Sequence, residues 1–134
     1  VDQGLATGAG CYYWASCLDR TTFRIYSSPR PGVELDELEA ALDAEIAALL
    51  EDGIAGDELA RTKRRMLADA IYARDSLSGA AHVLGAALTA GQTVADVEAW
   101  PARIDAVTAE QVAAAAALVL DRRRSVTGRL LAAA

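Results

Sequence analysis

The sequence predicts an α+β fold, an antiparallel or mixed sheet with helices on one face, a two-layer sandwich. Three observations carry this: two β-patterned segments open the chain, four or five segments of helical periodicity follow, and a last alternating segment closes it. The 134 residues match one domain at roughly 100–200 residues per domain, so 1–134 is read as a single domain. With 53% hydrophobic and 24% charged residues, the composition excludes a disordered or fibrous chain.

From Leu5 to Ser16 the residues are small and aromatic, with Gly8 and Gly10 and no helical period. A strand, bent or bulged at the glycines, is expected there. Leu18-Asp19-Arg20-Thr21 supplies a turn. Thr22 to Ser27 then alternates, with Phe23 and Ile25 on one face and Thr22, Arg24 and Tyr26 on the other. A short connection makes an antiparallel hairpin the default pairing.

Ser28-Pro29-Arg30-Pro31-Gly32 breaks regular structure. Leu35, Leu38, Leu42, Ile46, Leu49 and Leu50 then recur at helical spacing behind Glu34, Asp36, Glu37 and Glu39, acids suited to the positive end of a helix. Asp52-Gly53 stops that helix. A second starts near Asp57-Glu58, with Leu59, Met66, Leu67, Ala70 and Ile71 on one side and Arg61, Lys63, Arg64 and Arg65 mostly on the other, a solvated cationic face. Ser76 and Ser78 open a third, striped by Ala80, Val83, Leu84, Ala87 and Leu88 and closing near Gly91. A short fourth helix is expected over Val94 to Ile104, where Pro101 ends or kinks it. Thr108-Ala109-Glu110-Gln111 has the form of a capping box and starts a final helix that runs to about Leu120. Arg123 to Leu131 alternates around Val126 and Leu130 and is expected to be a strand.

The chemistry-bearing motifs are few. A formal net charge of −6 disfavours nucleic acid, whose affinity rests on neutralising phosphates. No apolar run approaches the roughly 20 residues that span a bilayer, so no membrane partner is expected. His82 is the single histidine, too few for a zinc site of converging imidazoles and carboxylates, and as the sole imidazole base it gives no serine or cysteine a triad. It is read as a packing or hydrogen-bonding residue. No phosphate-binding loop, nucleophile elbow or dinucleotide fingerprint is present, and Gly8-Ala9-Gly10 leads into a strand rather than a helix. Cys11 and Cys17 would lie about 20 Å apart along one strand, beyond the roughly 7 Å that a disulfide tolerates. Two buried or half-buried free thiols are expected.

The pieces in order form a pattern. Gly4-Leu5-Ala6-Thr7, the aromatic strand, the strand ending Tyr26-Ser27-Ser28-Pro29-Arg30-Pro31-Gly32, the helix, Asp52-Gly53-Ile54 before Asp57-Glu58-Leu59, Leu84-Gly85, Trp100 with Val107-Thr108-Ala109-Glu110-Gln111-Val112, and Ser125-Val126-Thr127-Gly128 with Leu130 follow one another over nearly the whole chain. This order resembles the C-terminal domain of the pitrilysin/insulinase family of zinc metallopeptidases, the inverzincins. The resemblance implies a metallohydrolase-like (mitochondrial processing peptidase-like) fold, incomplete in this chain, used in pairs to enclose an unfolded peptide. It places zinc in the N-terminal domain of the parent protein and none in this chain, which alone is expected to be inactive.

The implied partners are the N-terminal remainder of the same protein or a homologous subunit, with an unfolded peptide as substrate. The resemblance also admits a catalytically silent subunit that pairs with an active peptidase. The resemblance is to the bacterial type of this family, whose relatives in Gram-negative bacteria are often exported, which leaves periplasm and cytoplasm both open. Many members carry an Arg and, seven residues later, a Tyr that contact substrate. Thr7 stands at the Tyr position, keeping a hydroxyl without the reach of a phenol, and the Arg would fall just before Val1. With Val1 in place of an initiator Met, the chain reads as a C-terminal fragment. Thr7, Tyr12, Tyr13 and Trp14 are the residues placed nearest the enclosed peptide, Thr7 and Tyr13 being the candidate substrate-binding pair. Alternation sends Tyr12 and Trp14 to the face opposite Tyr13, and Arg30 is read as a loop cation.

Overall fold

A computed structural model describes residues 4–73 and 77–131. The chain clusters into two compact units, one of Val1–Tyr13, Phe23–Gly53 and Ala113–Ala134, the other of Trp14–Thr22 and Ile54–Val112. The described residues form six helices and a two-stranded antiparallel sheet, so the fold is α+β.

In the first unit, β1 (Ala6–Tyr13) pairs with β2 (Phe23–Pro29). The register sets Tyr13 opposite Phe23, Cys11 opposite Ile25, Tyr12 opposite Arg24 and Gly10 opposite Tyr26. This is the alternation expected of the hairpin, with aromatic and β-branched side chains meeting across the strands. The expected irregularity lies at the first glycine: Ala6 pairs with Pro29 and Gly8 with Ser28, which leaves Thr7 as the extra residue of a bulge. Gly10 has a second role. A Cβ built there would come within 2.5 Å of the Tyr26 hydroxyl oxygen, so the tyrosine ring lies over the strand at a position that has no side chain, an aromatic covering a glycine.

After the hairpin, Gly32 turns the chain at φ +86°, and α1 runs Leu35–Asp52 with Asp36 and Glu37 in its first turn. It ends where Gly53, at φ 74°, donates its N–H to the Leu49 carbonyl, a left-handed position that glycine takes without steric cost. α1 contacts β2. Leu38 is its buried residue and, among the described residues, the one large side chain of the buried apolar set, the others being Ala6, Ala87 and Ala116.

The end of the chain departs from the expectation. Asp121 accepts from the Arg123 backbone N–H and caps a 3-10 turn over Arg122–Arg124. Residues 125–131 follow with no regular structure, so the strand expected over Arg123 to Leu131 does not form. Val126 is 98% exposed and Leu130 95%. Alternation makes a strand only where a neighbouring strand completes the ladder, and the sheet of the described residues contains β1 and β2 alone.

The second unit is helical. α2 spans Gly56–Ala73 and α3 spans Leu77–Thr89. Ser76, expected to open α3, lies outside the described residues. Ala87 of the α3 stripe is buried, whereas Val83 and Leu88 are exposed, as are Met66 and Ile71 of the α2 stripe. The segment expected as one helix over Val94 to Ile104 is two: α4 (Val94–Glu98) and α5 (Trp100–Ala106). Pro101 is the reason, since it brings no N–H to the turn before it and sits at the start of α5. The Arg103 guanidinium donates to the Asp96 carbonyl at 3.0 Å, satisfying a group in the last turn of α4.

Two capping boxes set this stretch. Thr108 and Gln111 exchange the expected bonds, the Gln111 N–H donating to the Thr108 hydroxyl at 3.3 Å and the Thr108 N–H to the Gln111 amide oxygen at 3.0 Å. They start α6 (Ala109–Val119). The second box, Thr93 with Asp96, starts α4.

Candidate functional site

Thr7 and Tyr13 sit at opposite ends of β1, about 20 Å apart at the rise of a strand. The bulge fixes Thr7. Its hydroxyl donates to the Ser28 carbonyl at 3.2 Å, reaching across to the partner strand from the position where the ladder slips. Its neighbour Ala6 is buried at 3% exposure, while Thr7 itself is exposed. The Arg30 N–H donates to the Leu5 carbonyl at 2.9 Å, extending the pairing one step beyond Ala6. Thr7, Ser28 and Arg30 therefore gather at the open end of the hairpin.

Tyr13 is 57% exposed and faces Phe23, with Cys11 and Ile25 next to them on the same sheet face. Tyr12 lies on the opposite face with Arg24 and Tyr26. Trp14 follows β1 and is 52% exposed. The two candidate binding residues thus belong to one strand but not to one cluster, and no general base stands beside either hydroxyl in the contacts described. The arrangement offers hydrogen bonding at the Thr7 end and apolar and aromatic contact at the Tyr13 end.

Both cysteines are free, and both are exposed rather than buried. Cys11 is on a sheet face that is open to solvent at Tyr13 as well. His82 is on the exposed side of α3. Among the described residues, no group of three or more His, Cys, Asp or Glu side chains is placed to hold a metal ion.

On α2, the expected cationic face is exposed at Arg61, Arg64 and Arg65. Lys63 is half-buried and donates to the Asp105 backbone carbonyl at 2.7 Å, which ties α2 to α5. A hollow of about 350 Å³ lies between these helices, lined by Leu59, Lys63, Arg64, Leu67 and Asp105 among others. With Lys63 already engaged, it holds no converging set of polar groups such as a small-molecule site needs.

Sequence reasoning missed a charge cluster in the first unit. Arg129 bonds Asp36 at 2.6 Å and also bonds Glu39, while Arg122 bonds Asp43 at 2.7 Å. The Arg129 guanidinium is held above its ordinary pKa by its hydrogen bonds to Glu39 and then Asp36. The available signal was the spacing of Asp36, Glu39 and Asp43, three and seven residues apart and hence on one helix face, together with the run Arg122-Arg123-Arg124. Reading Asp36 and Glu39 only as partners for the helix dipole, and passing over Asp43, hid it.

No protein-family model matches the chain, and no curated protein matches it.

Proposed function

We propose that the chain is a non-catalytic, substrate-enclosing C-terminal part of a zinc-dependent metallopeptidase of the pitrilysin/insulinase type, with a metallohydrolase-like fold and the zinc carried on another segment or subunit. The observation that carries this reading is the order of sequence elements, from the Gly4–Thr7 segment through the hairpin and helices to the Thr108–Gln111 box. The α+β content and the antiparallel β1–β2 pairing agree with it at the coarse level. The segment 125–131, expected from its alternation to be part of a strand and containing residues on which the resemblance rests, stands outside the sheet and counts against it.

In this reading Thr7 and Tyr13 contact an extended peptide along β1, the first through its hydroxyl and the second through its ring. Thr7 in place of the family's Tyr favours a second reading, a catalytically silent subunit of the same fold that pairs with an active peptidase. Neither reading asks this chain to carry chemistry.

Native mass spectrometry of the protein purified from its source, with a denaturing intact mass and a zinc assay, tests the proposal. A larger zinc-bearing polypeptide is expected to travel with the 14.0 kDa chain. In that assembly Tyr13→Ala is expected to raise KM for an unfolded peptide several-fold with little change in kcat, the signature of lost uniform binding. Zinc bound stoichiometrically to the isolated chain, with peptide hydrolysis by it, would overturn both readings.

A further inference from the structure

The segment after the 3-10 turn combines two properties. Its sequence alternates like a strand, yet residues 125–131 belong to no ladder, and its apolar side chains face water, with Val126 at 98%, Leu130 at 95% and Leu131 at 74% exposure. Burial of these side chains therefore contributes nothing to holding it in place. What does hold it is charge. Arg122 meets Asp43, and seven residues later Arg129 meets Glu39 and Asp36, so the segment is pinned at two points along one acidic stripe of α1. The chain direction of the segment opposes that of the helix, because the higher-numbered arginine meets the lower-numbered acids.

Every pair is open to solvent on at least one side: the Arg122 and Arg129 side chains are 73% and 46% exposed and Asp36 is 84% exposed, while Asp43 and Glu39 are half-buried at 35% and 28%. Ion pairs of this kind contribute little individually and weaken as salt screens them. The Arg129 end is the firmer, since its guanidinium engages two carboxylates at once through Nε, Nη1 and Nη2.

We propose that residues 122–131 form a charge-latched strap, closed over the Asp36–Glu39–Asp43 stripe at low ionic strength and released when those ion pairs are screened or Arg129 is neutralised. Release bares the acidic stripe of α1 and frees a strand-patterned segment at the same time, so the two surfaces become available together. Arg129 is the latch, and Arg122 with the Asp121-capped turn is the hinge side.

A spin label reads the latch directly. In the full chain with Cys11→Ser and Cys17→Ser, a nitroxide on Val126→Cys occupies a position already open to solvent and broadens nearby backbone amide signals. Broadening of the α1 amides from Asp36 to Asp43 is expected near 0.01 M salt, where the Debye length is about 30 Å, and its loss is expected near 1 M, where it is about 3 Å. Dilution back to low salt should restore it. Arg129→Gln should abolish the broadening at low salt, with signals elsewhere unmoved as evidence that the chain remains folded. Exchanging the charges, Glu39→Arg with Arg129→Glu, should recover it in part. Broadening that persists undiminished near 1 M salt, or that survives Arg129→Gln, would overturn the proposal, as would its absence from the low-salt spectrum of the parent.

Discussion

In residues 93–111 the helix caps close over short spans, Thr93 with Asp96 and Thr108 with Gln111 over three residues and Arg103 with the Asp96 carbonyl over seven, beside one longer tie from Lys63 to the Asp105 carbonyl over 42. Arg129 instead reaches 90 residues back to Glu39 and 93 back to Asp36. The helix starts of the first region are set by contacts that its own sequence supplies, whereas the charge pairs of the second exist only once α1 is in place. The difference teaches where each region will fail. Local caps break one helix at a time, whereas loss of α1 removes the support of everything pinned to it.

The largest expected effect follows from Leu38, 6% exposed and the one large side chain of the buried set. Leu38→Ala should cost about 2–5 kcal/mol, the usual range for a buried leucine, measured by urea denaturation. If the comparison holds, the broadening between the 126 label and α1 disappears at a lower urea concentration than the helical signal of residues 93–111. Coincident loss of the two would show that the regions unfold as one and would break the distinction.

A cap substitution should act locally instead. Thr108→Ala removes the hydroxyl that accepts the Gln111 N–H and should cost about 1 kcal/mol, felt in α6. Far-UV circular dichroism with amide exchange across residues 109–119 reads this, and Thr93→Ala should do the same for α4 alone. The short α4 makes the second effect the more local, because the whole helix is five residues long.

What the sequence revealed divides along the same line. The Thr108 box, the break at Pro101, the Gly53 stop and the face-by-face alternation of Phe23 and Ile25 against Arg24 and Tyr26 were all legible, because each depends on residues a few positions apart. The strand expected at Arg123–Leu131 was not borne out. Alternation reports a face, but a ladder needs a neighbour that no local pattern announces. The Thr93–Asp96 box was legible in principle, as a Thr followed three residues later by an acid, and was overlooked. Of the candidate site, the strand that carries Thr7 and Tyr13 was readable. Their separation along it, the bulge that turns Thr7 toward Ser28 and the exposure of both cysteines were not, since these depend on pairing register and on what covers the sheet.

The hairpin offers an intermediate test, part local and part cross-strand. Tyr26 lies over Gly10, and because the ring is 62% exposed it can swing away from an added methyl. Gly10→Ala should therefore cost less than about 1 kcal/mol, at the low end of overpacking effects, and should shift the Tyr26 ring resonances. In a double-mutant cycle, Tyr26→Ala should remove the penalty of Gly10→Ala. Additive effects would show that the ring does not rest on the glycine in solution.

Acid should discriminate most finely between the two regions. Asp96 titrates below its ordinary value because the Thr93 hydroxyl and then its backbone N–H bond the carboxylate, with Arg103 adding attraction. Glu110 is lowered chiefly by the Thr108 hydroxyl, and Asp121 by Arg123. A carboxyl whose folded pKa lies below its unfolded one binds fewer protons when folded. Its contribution is thus complete above the unfolded value, about 4, and is lost as pH falls through the folded one. Glu110 is exposed and Asp96 and Asp121 are half-buried at the surface, so each effect is small, yet two of the three sit at helix starts in residues 93–111. Thermal unfolding followed from pH 6 downward should show Tm falling below about pH 4, and Asp96→Asn should flatten part of that fall. An Asp96→Asn slope identical to that of the parent would mean that the Thr93 box does not persist in solution, and the contrast between locally capped helices and a segment pinned at long range would lose its local half.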